Sequence, residues 1–173
     1  MPYKLKNTTN MFTIRKATSD DCKLINELAN QVFPATYKEI LSTEQLDYMM
    51  EWMYSEDVLR KEIAGDVTWL LMELDGVASG YVSFGPEGTD GQYHLHKIYI
   101  LPACQGKGHG RALFLAAEEE MRRRGAEIFE LNVNRHNKAL DFYLKMGMKI
   151  NRSGDFDIGG GFYMNDYILG KYL

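Results

Sequence analysis

The stretch that decides the fold is Gln105-Gly106-Lys107-Gly108-His109-Gly110, which follows an apolar run ending at Leu101-Pro102. The run before it alternates like a strand, and apolar residues recur at helical spacing from Gly108 to Arg124. Glycine lets a backbone turn tightly and approach a ligand, and the N–H groups at a helix N-terminus bind anions. The turn therefore predicts a phosphate or pyrophosphate site, to which Lys107 and Arg111 add positive charge.

Three kinds of phosphate-binding loop compete for this turn. A Walker loop needs a hydroxyl residue after its lysine, but Lys107 is followed by Gly108. A dinucleotide loop of the form Gly-x-Gly-x-x-Gly fails because the third position, counted from Gly106, is Arg111. Gln105, Gly108 and Gly110 satisfy the coenzyme A pattern Gln/Arg-x-x-Gly-x-Gly/Ala. Taken alone, the turn also fits a plain connection between a strand and a helix.

The rest of the chain predicts a mixed α/β layer. Strands are expected at 12–16, 68–74, 77–84, 92–101, 128–133, 148–157 and 162–172. Helices are expected after Ser19, after Ser42, at 56–64, at 108–124 and at 137–146, with Pro34 ending the first. We expect one domain over residues 11–173, preceded by a flexible segment at residues 1–10.

Composition narrows the class of protein. The chain has 173 residues, 45% of them hydrophobic, which is enough for one packed core. A net charge of −4 argues against a nucleic-acid partner, and no run is apolar enough to suggest a membrane span. Cys22 and Cys104 lack metal-ligand spacing. We therefore expect a cytoplasmic protein with no metal site.

A second motif indicates which kind of phosphate-binding loop the turn is. Asn137-Lys138-Ala139-Leu140-Asp141-Phe142-Tyr143-Leu144-Lys145-Met146-Gly147-Met148 lies about 30 residues beyond the turn. This pair of motifs resembles the GNAT superfamily of acyl-CoA N-acyltransferases, whose pattern here is Asn-x-x-Ala-x-x-Phe-Tyr-x-x-x-Gly-Phe. Only Met148 departs from it, by an apolar swap of similar volume.

The resemblance implies a fold and a co-substrate. The fold is a central, mixed, mostly antiparallel twisted sheet of about seven strands flanked by about four helices. The co-substrate is acetyl-CoA, with the main chain of the turn holding its pyrophosphate. The implied cofactor-binding residues are Ile98, Tyr99, Ile100, Gln105, Gly106, Lys107, Gly108, His109, Gly110, Arg111, Asn132, Asn137 and Tyr143.

Acetyl transfer to an amine expels a thiolate, which calls for an acid. The resemblance places Tyr143 near the thioester sulfur. Thiols ionise near pH ~8.5 and tyrosine near ~10, so a tyrosine is protonated at neutral pH and can donate. The alternative is a packed aromatic residue beside Phe142.

The attacking amine must be neutral, which calls for a base. An alkylamine of pKa ~10 is neutral in about one molecule in a thousand at pH 7. His94 and His96 stand on the strand where relatives carry acidic residues, and imidazole, with a pKa near ~6.5, suits this task. Strand alternation predicts that both share one face with Ile98 and Ile100. The alternative is a pair of polar residues at a partly exposed strand end.

Within the superfamily the chain resembles the bacterial PaiA type of spermidine/spermine acetyltransferases. The residues that carry this likeness are Val32–Tyr37, Ile98–Ile100 and Phe162–Met164. It implies a polyamine or other small amine, attacking directly in a ternary complex, with Phe33, Tyr37 and Tyr163 at the acceptor. Asp155, Asp157 and Asp166 could hold a polycation, although a solvated face is the commoner role of carboxylates.

Two other functions stay open at this point. One is acetylation of protein lysines or N-termini, and the other is a non-catalytic, acyl-CoA-binding regulatory module. The oligomeric state is expected to be a monomer or a homodimer.

Overall fold

A computed structural model describes residues 11–173, so the expected flexible segment at 1–10 lies outside the described residues. The strands are β1 (Phe12–Lys16), β2 (Thr68–Leu74), β3 (Val77–Pro86), β4 (Gln92–Ile100), β5 (Ile128–Asn134), β6 (Lys149–Gly159) and β7 (Phe162–Tyr172). The helices are α1 (Cys22–Tyr37), α2 (Thr43–Tyr54), α3 (Glu56–Ala64), α4 (His109–Arg123) and α5 (Leu140–Lys145). Within these residues, no helix is both long and apolar enough to cross a lipid bilayer.

All seven described strands form one sheet, in the order β1-β2-β3-β4-β5-β7-β6. Every neighbouring pair is antiparallel except β4 and β5, which α4 connects in parallel. The predicted mixed, mostly antiparallel sheet of seven strands is confirmed. The described residues form five α-helices, as the sequence pattern predicts, beside the about four that the family resemblance implies. The additional one is α3, which has its own Ser55 cap.

The parallel pairing of β4 with β5 is short, so the two strands separate beyond it. β4 and β5 pair only where Gln92–His94 meets Ile128–Glu130. Beyond this point β4 stays paired with β3 as far as Ile100, and β5 stays paired with β7 as far as Asn134. The facing edges of β4 and β5 therefore leave a wedge between them, where unpaired backbone groups are available to a ligand.

A hydrophobic core lies on each face of the sheet. On one face α4 and α5 cover a cluster that includes Phe114, Phe129 and Tyr143. On the other, α1–α3 cover a cluster that includes Phe33 and Trp69. The wedge thus has the α4–α5 layer on one side and the α1–α3 layer on the other.

Two helix boundaries differ from the prediction. Pro34 does not end α1, which continues to Tyr37, because a proline removes only its own N–H and its carbonyl still accepts from Lys38 at 2.9 Å. The helix expected to start at Asn137 starts at Leu140. The Asn137 side chain accepts from the N–H of Ala139 at 2.9 Å, so it forms a turn before the helix.

Candidate active site

A β-bulge in β4 decides which way the predicted base residues point. Ser83 pairs with Lys97 and Phe84 pairs with Leu95, so His96 is the extra residue on its strand. The bulge reverses the alternation on one side of it.

The prediction that His94 and His96 share a face with Ile98 and Ile100 is therefore wrong. Ile98 and Ile100 belong to the core beneath α4. His96 instead lines a cavity on the α1–α3 face, and the His94 ring stacks on it with centroids 5.1 Å apart.

This cavity lies beside the wedge and has a volume of about 70 Å³. Strands β4, β5 and β7 contribute to its wall, together with α1 and α2. Its lining consists of Phe33, Tyr37, Leu41, Gln45, Met49, Met53, Tyr54, His96, Lys97, Tyr99, Asn132, Asn134, Tyr163, Met164 and Asp166. All three residues predicted to bind the acceptor, Phe33, Tyr37 and Tyr163, are brought together here.

A hydrogen-bonded chain crosses the mouth of the wedge. The hydroxyl oxygens of Tyr37 and Tyr99 lie 3.1 Å apart. The Asn137 side-chain amide donates to the Tyr37 hydroxyl at 3.2 Å. Asn137, expected beside the cofactor arm, therefore joins the turn before α5 to the end of α1.

Tyr143 lies on the other side of the wedge, on α5. It is 8% exposed and packs against the rings of Phe114 and Phe142, with centroids 6.4 and 5.4 Å away. Burial first, and then the neighbouring Tyr37, raise the pKa of the Tyr143 phenol. The phenol is therefore protonated at neutral pH, as a proton donor must be.

The two histidines differ in their surroundings. His94 Nδ1 lies 2.7 Å from a carboxylate oxygen of Glu87. Part of His96 reaches the surface, yet the surrounding protein desolvates its imidazole. That desolvation, followed by the nearness of His94 and Lys97, lowers the pKa of His96 to about 3. His96 is therefore neutral over the physiological range.

The glycine turn has the geometry of an anion site. Gly106 and Gly108 have φ angles of +80° and +82°, and Gly108 is the N-cap of α4. A Cβ atom at either position would meet no other atom within 4 Å, so the space over the turn is open. The open space, the glycine conformations and the helix N-terminus together fit a pyrophosphate.

The side chains around the turn have distinct places. Lys107 and Arg111 are exposed beside it, and the Gln105 amide donates to the carbonyl of Ile100 at 3.1 Å. The His109 ring is turned inward, 3.2 Å from the carbonyl of Cys104 and edge-on to Phe12. At His109, therefore, the main chain and not the imidazole is available to a ligand at the turn.

The sequence match to a known family covers the wedge, the turn and Tyr143. Residues 25–148 match the profile of the Acetyltransferase (GNAT) family. The chain belongs to this family. This GNAT enzyme is 32% identical over 133 residues to the L-methionine sulfoximine/L-methionine sulfone acetyltransferase of Salmonella typhimurium, covering 73% of each chain.

Two further comparisons concern proteins of one organism. The GNAT enzyme is 27% identical over 150 residues to the spermidine N(1)-acetyltransferase of Thermoplasma acidophilum, covering 83% of this chain and 92% of that one. It also superposes on the crystal structure of the PaiA N-acetyltransferase from Thermoplasma acidophilum in complex with coenzyme A. The TM-score is 0.81 at 27% identity, over 94% of this chain and 99% of that one.

These findings confirm the predicted family, fold, enzyme class and co-substrate. The protein is an acetyl-CoA-dependent N-acetyltransferase. The matched relatives are acetyltransferases, which speaks against the non-catalytic module. Within residues 11–173, no group of three or more His, Cys, Asp or Glu side chains is placed to hold a metal ion.

Asp166 differs in position from the two other aspartates that could hold a polycation. It was grouped with Asp155 and Asp157, which are exposed, but it is only 1% exposed and lines the cavity. The available signal was its position between Met164 and Ile168, two apolar residues on the same face of β7.

Lys97 was missed altogether. Its ammonium lies 5.3 Å from the ring centre of Tyr54 and 5.4 Å from that of Trp69, with Glu62 at 3.9 Å. Nothing in a single lysine on a strand predicts such burial; only the bulge at His96 turns it inward.

Proposed function

We propose that this enzyme transfers the acetyl group of acetyl-CoA to a primary amine of a small cationic molecule, of which a polyamine is the model case. The amine attacks the thioester directly in a ternary complex. The observation that carries the proposal is the cavity beside the wedge, which meets the predicted position of the thioester on the side opposite Tyr143.

The shape of the cavity favours a small acceptor over a peptide. A peptide that binds by strand addition needs a free sheet edge. One edge of β5 is paired with β7 along its whole length, from Ile128 to Asn134. Its other edge faces the wedge, where the arm of acetyl-CoA is proposed to lie. α2 is also tied to β7, because the Gln45 amide donates to the carbonyl of Tyr163 at 2.7 Å. The cavity is therefore walled by α2 and β7, and its size suits a slender amine.

The relatives support a small acceptor, and one of them supports a cationic one. One has spermidine in its name and another has amino-acid derivatives. Both are small molecules that carry a primary amine. The aromatic and methionine lining of the cavity suits an alkyl chain, and its aromatic faces also suit a cation.

The co-substrate would be held by the glycine turn and the open edge of β4. The main chain from Gln105 to Arg111 would bind the pyrophosphate, and the backbone at Ile98, Tyr99 and Ile100 would bind the pantetheine arm. Asn137 is the side-chain amide proposed beside that arm. Asn132, expected there too, lines the acceptor cavity, and its amide donates to Asp166 at 3.3 Å. Acetyl-CoA supplies an acetyl group that is activated as a thioester.

The proposed chemistry assigns an acid and a base. The ammonium of the acceptor first gives one proton to solvent, which leaves a neutral amine. As this amine attacks, the C–N bond forms and the C–S bond breaks; the nitrogen gives its second proton to solvent, and Tyr143 gives a proton to the leaving sulfur and regains one from solvent. Of the two base candidates, His96 lines the cavity, whereas His94 is engaged with Glu87. A pKa near 3 makes His96 a weak base. We therefore propose that His96 accepts a hydrogen bond from the attacking amine and that His94 supports the His96 ring.

Thiol release from acetyl-CoA tests the proposal against a panel of polyamines, amino acids, aminoglycosides and lysine-containing peptides. The highest kcat/KM is expected for the small amines that carry more than one positive charge. A higher kcat/KM for the peptides would favour the protein-modifying alternative. Absence of thiol release with every amine would contradict the proposed function.

A further inference from the structure

Asp166 is a buried carboxylate without a full set of hydrogen bonds. It is 1% exposed, on β7, opposite Asn134 of β5. Its Oδ2 accepts from the Asn132 amide at 3.3 Å. Its Oδ1 has no hydrogen-bond partner among residues 11–173. A buried carboxyl oxygen without a partner is costly to the fold and calls for an explanation, of which a bound ligand is one.

The nearby cations do not neutralise this carboxylate. Arg135 attracts it, but the guanidinium itself lies 2.6 Å from a carboxylate oxygen of Asp155. Lys97 lines the same cavity, but its ammonium is held over two aromatic rings and has Glu62 at 3.9 Å.

The other titratable groups that line the cavity are phenols and one imidazole: Tyr37, Tyr54, Tyr99, Tyr163 and His96. The phenols of Tyr37, Tyr54 and Tyr99 have raised pKa values, and the pKa of His96 is lowered. None of these four carries a charge at neutral pH. Burial raises the pKa of Asp166, and the Asn132 amide and Arg135 offset this in part. Apart from Lys97, no described side chain that lines the cavity can supply a cation to this carboxyl group, and a bound ammonium would favour its ionised form.

We infer that Asp166 is the ammonium-binding residue of the acceptor cavity. This inference rests on the proposed function and narrows it. An alkylammonium has three N–H donors, and the free Oδ1 of Asp166 is a charged acceptor for one of them. The aromatic rings of Tyr37 and Tyr99 in the same cavity add favourable contact with a cation.

Chemistry decides which ammonium Asp166 binds. A carboxylate stabilises the protonated amine, but the attacking nitrogen must be neutral. Asp166 therefore binds a second, non-reacting ammonium of the acceptor. The enzyme should prefer diamines and polyamines to monoamines, and it should disfavour acceptors with a carboxylate in place of that second ammonium.

The test compares two acceptors of the same chain length, diaminobutane and butylamine, on two enzymes. The wild type should have a KM about 10–100-fold lower for the diamine, the range expected for a hydrogen bond between charged groups. Asp166→Asn keeps the size of the side chain and its contact with Asn132 but removes the charge. It should raise KM for the diamine to nearly that for butylamine, with a smaller change in kcat.

Two controls keep the outcomes apart. Asp75→Asn makes the same substitution at an exposed β2–β3 turn and should leave both KM values unchanged. A thermal melt should show Asp166→Asn folded, with Tm no lower than that of the wild type, because the substitution removes an unbalanced buried charge.

Each result is decisive. If the wild type acetylates neither amine, the proposed function itself fails. If it acetylates both and Asp166→Asn keeps the preference for the diamine, only the role of Asp166 is overturned. A fall in kcat with unchanged KM values would also overturn it, since that result assigns Asp166 to proton transfer and not to binding.

Discussion

Tyr143 illustrates how burial suits a residue to its proposed chemistry. The phenol lies between Phe114 and Phe142, and its surroundings favour the neutral, protonated form. The ring of Tyr143 would pack in the same way whether or not the residue acts as an acid. Only the hydroxyl group can donate a proton, so the two roles are separated by removing that one oxygen atom.

Removing that oxygen gives the first prediction. Tyr143→Phe should lower kcat by about 10²–10⁴-fold, the usual contribution of a general acid, with little change in the Kd for coenzyme A. Steady-state kinetics and calorimetric titration measure the two quantities. Tyr172→Phe, at a tyrosine that is 82% exposed, is the matched control. An unaltered kcat would remove Tyr143 from the mechanism.

His96 makes a second prediction, on stability and pH. Folding lowers its pKa from 6.5 to about 3, so between these values the unfolded chain binds more protons than the folded one. This contribution to stability is complete above pH 6.5 and is lost as the pH falls toward 3. Urea unfolding across this interval should therefore show a shallower pH dependence for His96→Gln than for the wild type. Parallel curves would mean that the imidazole is not desolvated in the folded protein.

At the scale of elements, the turn between β4 and α4 combines two requirements. Its glycines must adopt positive φ angles, and the space above them must stay open for the pyrophosphate. Gly108 meets both conditions, whereas Gly110 has an ordinary φ, and a Cβ there would only touch the Phe142 ring at 3.8 Å.

This contrast gives a third prediction. Gly108→Ala forces alanine into the left-handed region at a cost of about 1–2 kcal/mol, so it should lower Tm and weaken coenzyme A binding. Gly110→Ala should leave both nearly unchanged. Differential scanning calorimetry and titration with coenzyme A measure these effects. Equal behaviour of the two variants would contradict the assigned turn geometry.

The same elements show what the sequence could and could not predict. Every strand and helix of residues 11–173 was predicted close to its observed bounds, because periodicity and turn residues are local signals. The bulge at His96 depends on how β4 pairs with β3, and no local pattern in β4 reveals it. The sequence alone therefore could not predict which face of β4 carries His94 and His96, or that Lys97 is buried.

At the scale of the whole molecule, function depends on the separation of β4 from β5. The wedge places the glycine turn and Tyr143 on one side and the cavity with Asp166 on the other. The bond between Asn137 and Tyr37 connects the two sides at 3.2 Å. The residues of the cofactor side stay a prediction, which the sequence allows because that side is built from two contiguous motifs.

The acceptor side was predicted less completely for a physical reason. Its cavity combines side chains from α1, α2, β4, β5 and β7, which are far apart in the chain. Phe33, Tyr37 and Tyr163 were predicted from the family resemblance. Asp166 was expected at the surface, because only the assembled sheet and helices bury it.

Competition between two acceptors in one reaction tests the central claim most directly. Spermidine and a lysine-containing peptide, at equal amine concentration, would share the enzyme and limiting acetyl-CoA, and mass spectrometry would identify the acetylated product. The account predicts that nearly all of the acetyl group goes to a primary amine of spermidine. Acetyl groups found mainly on the peptide, or on neither acceptor, would contradict it.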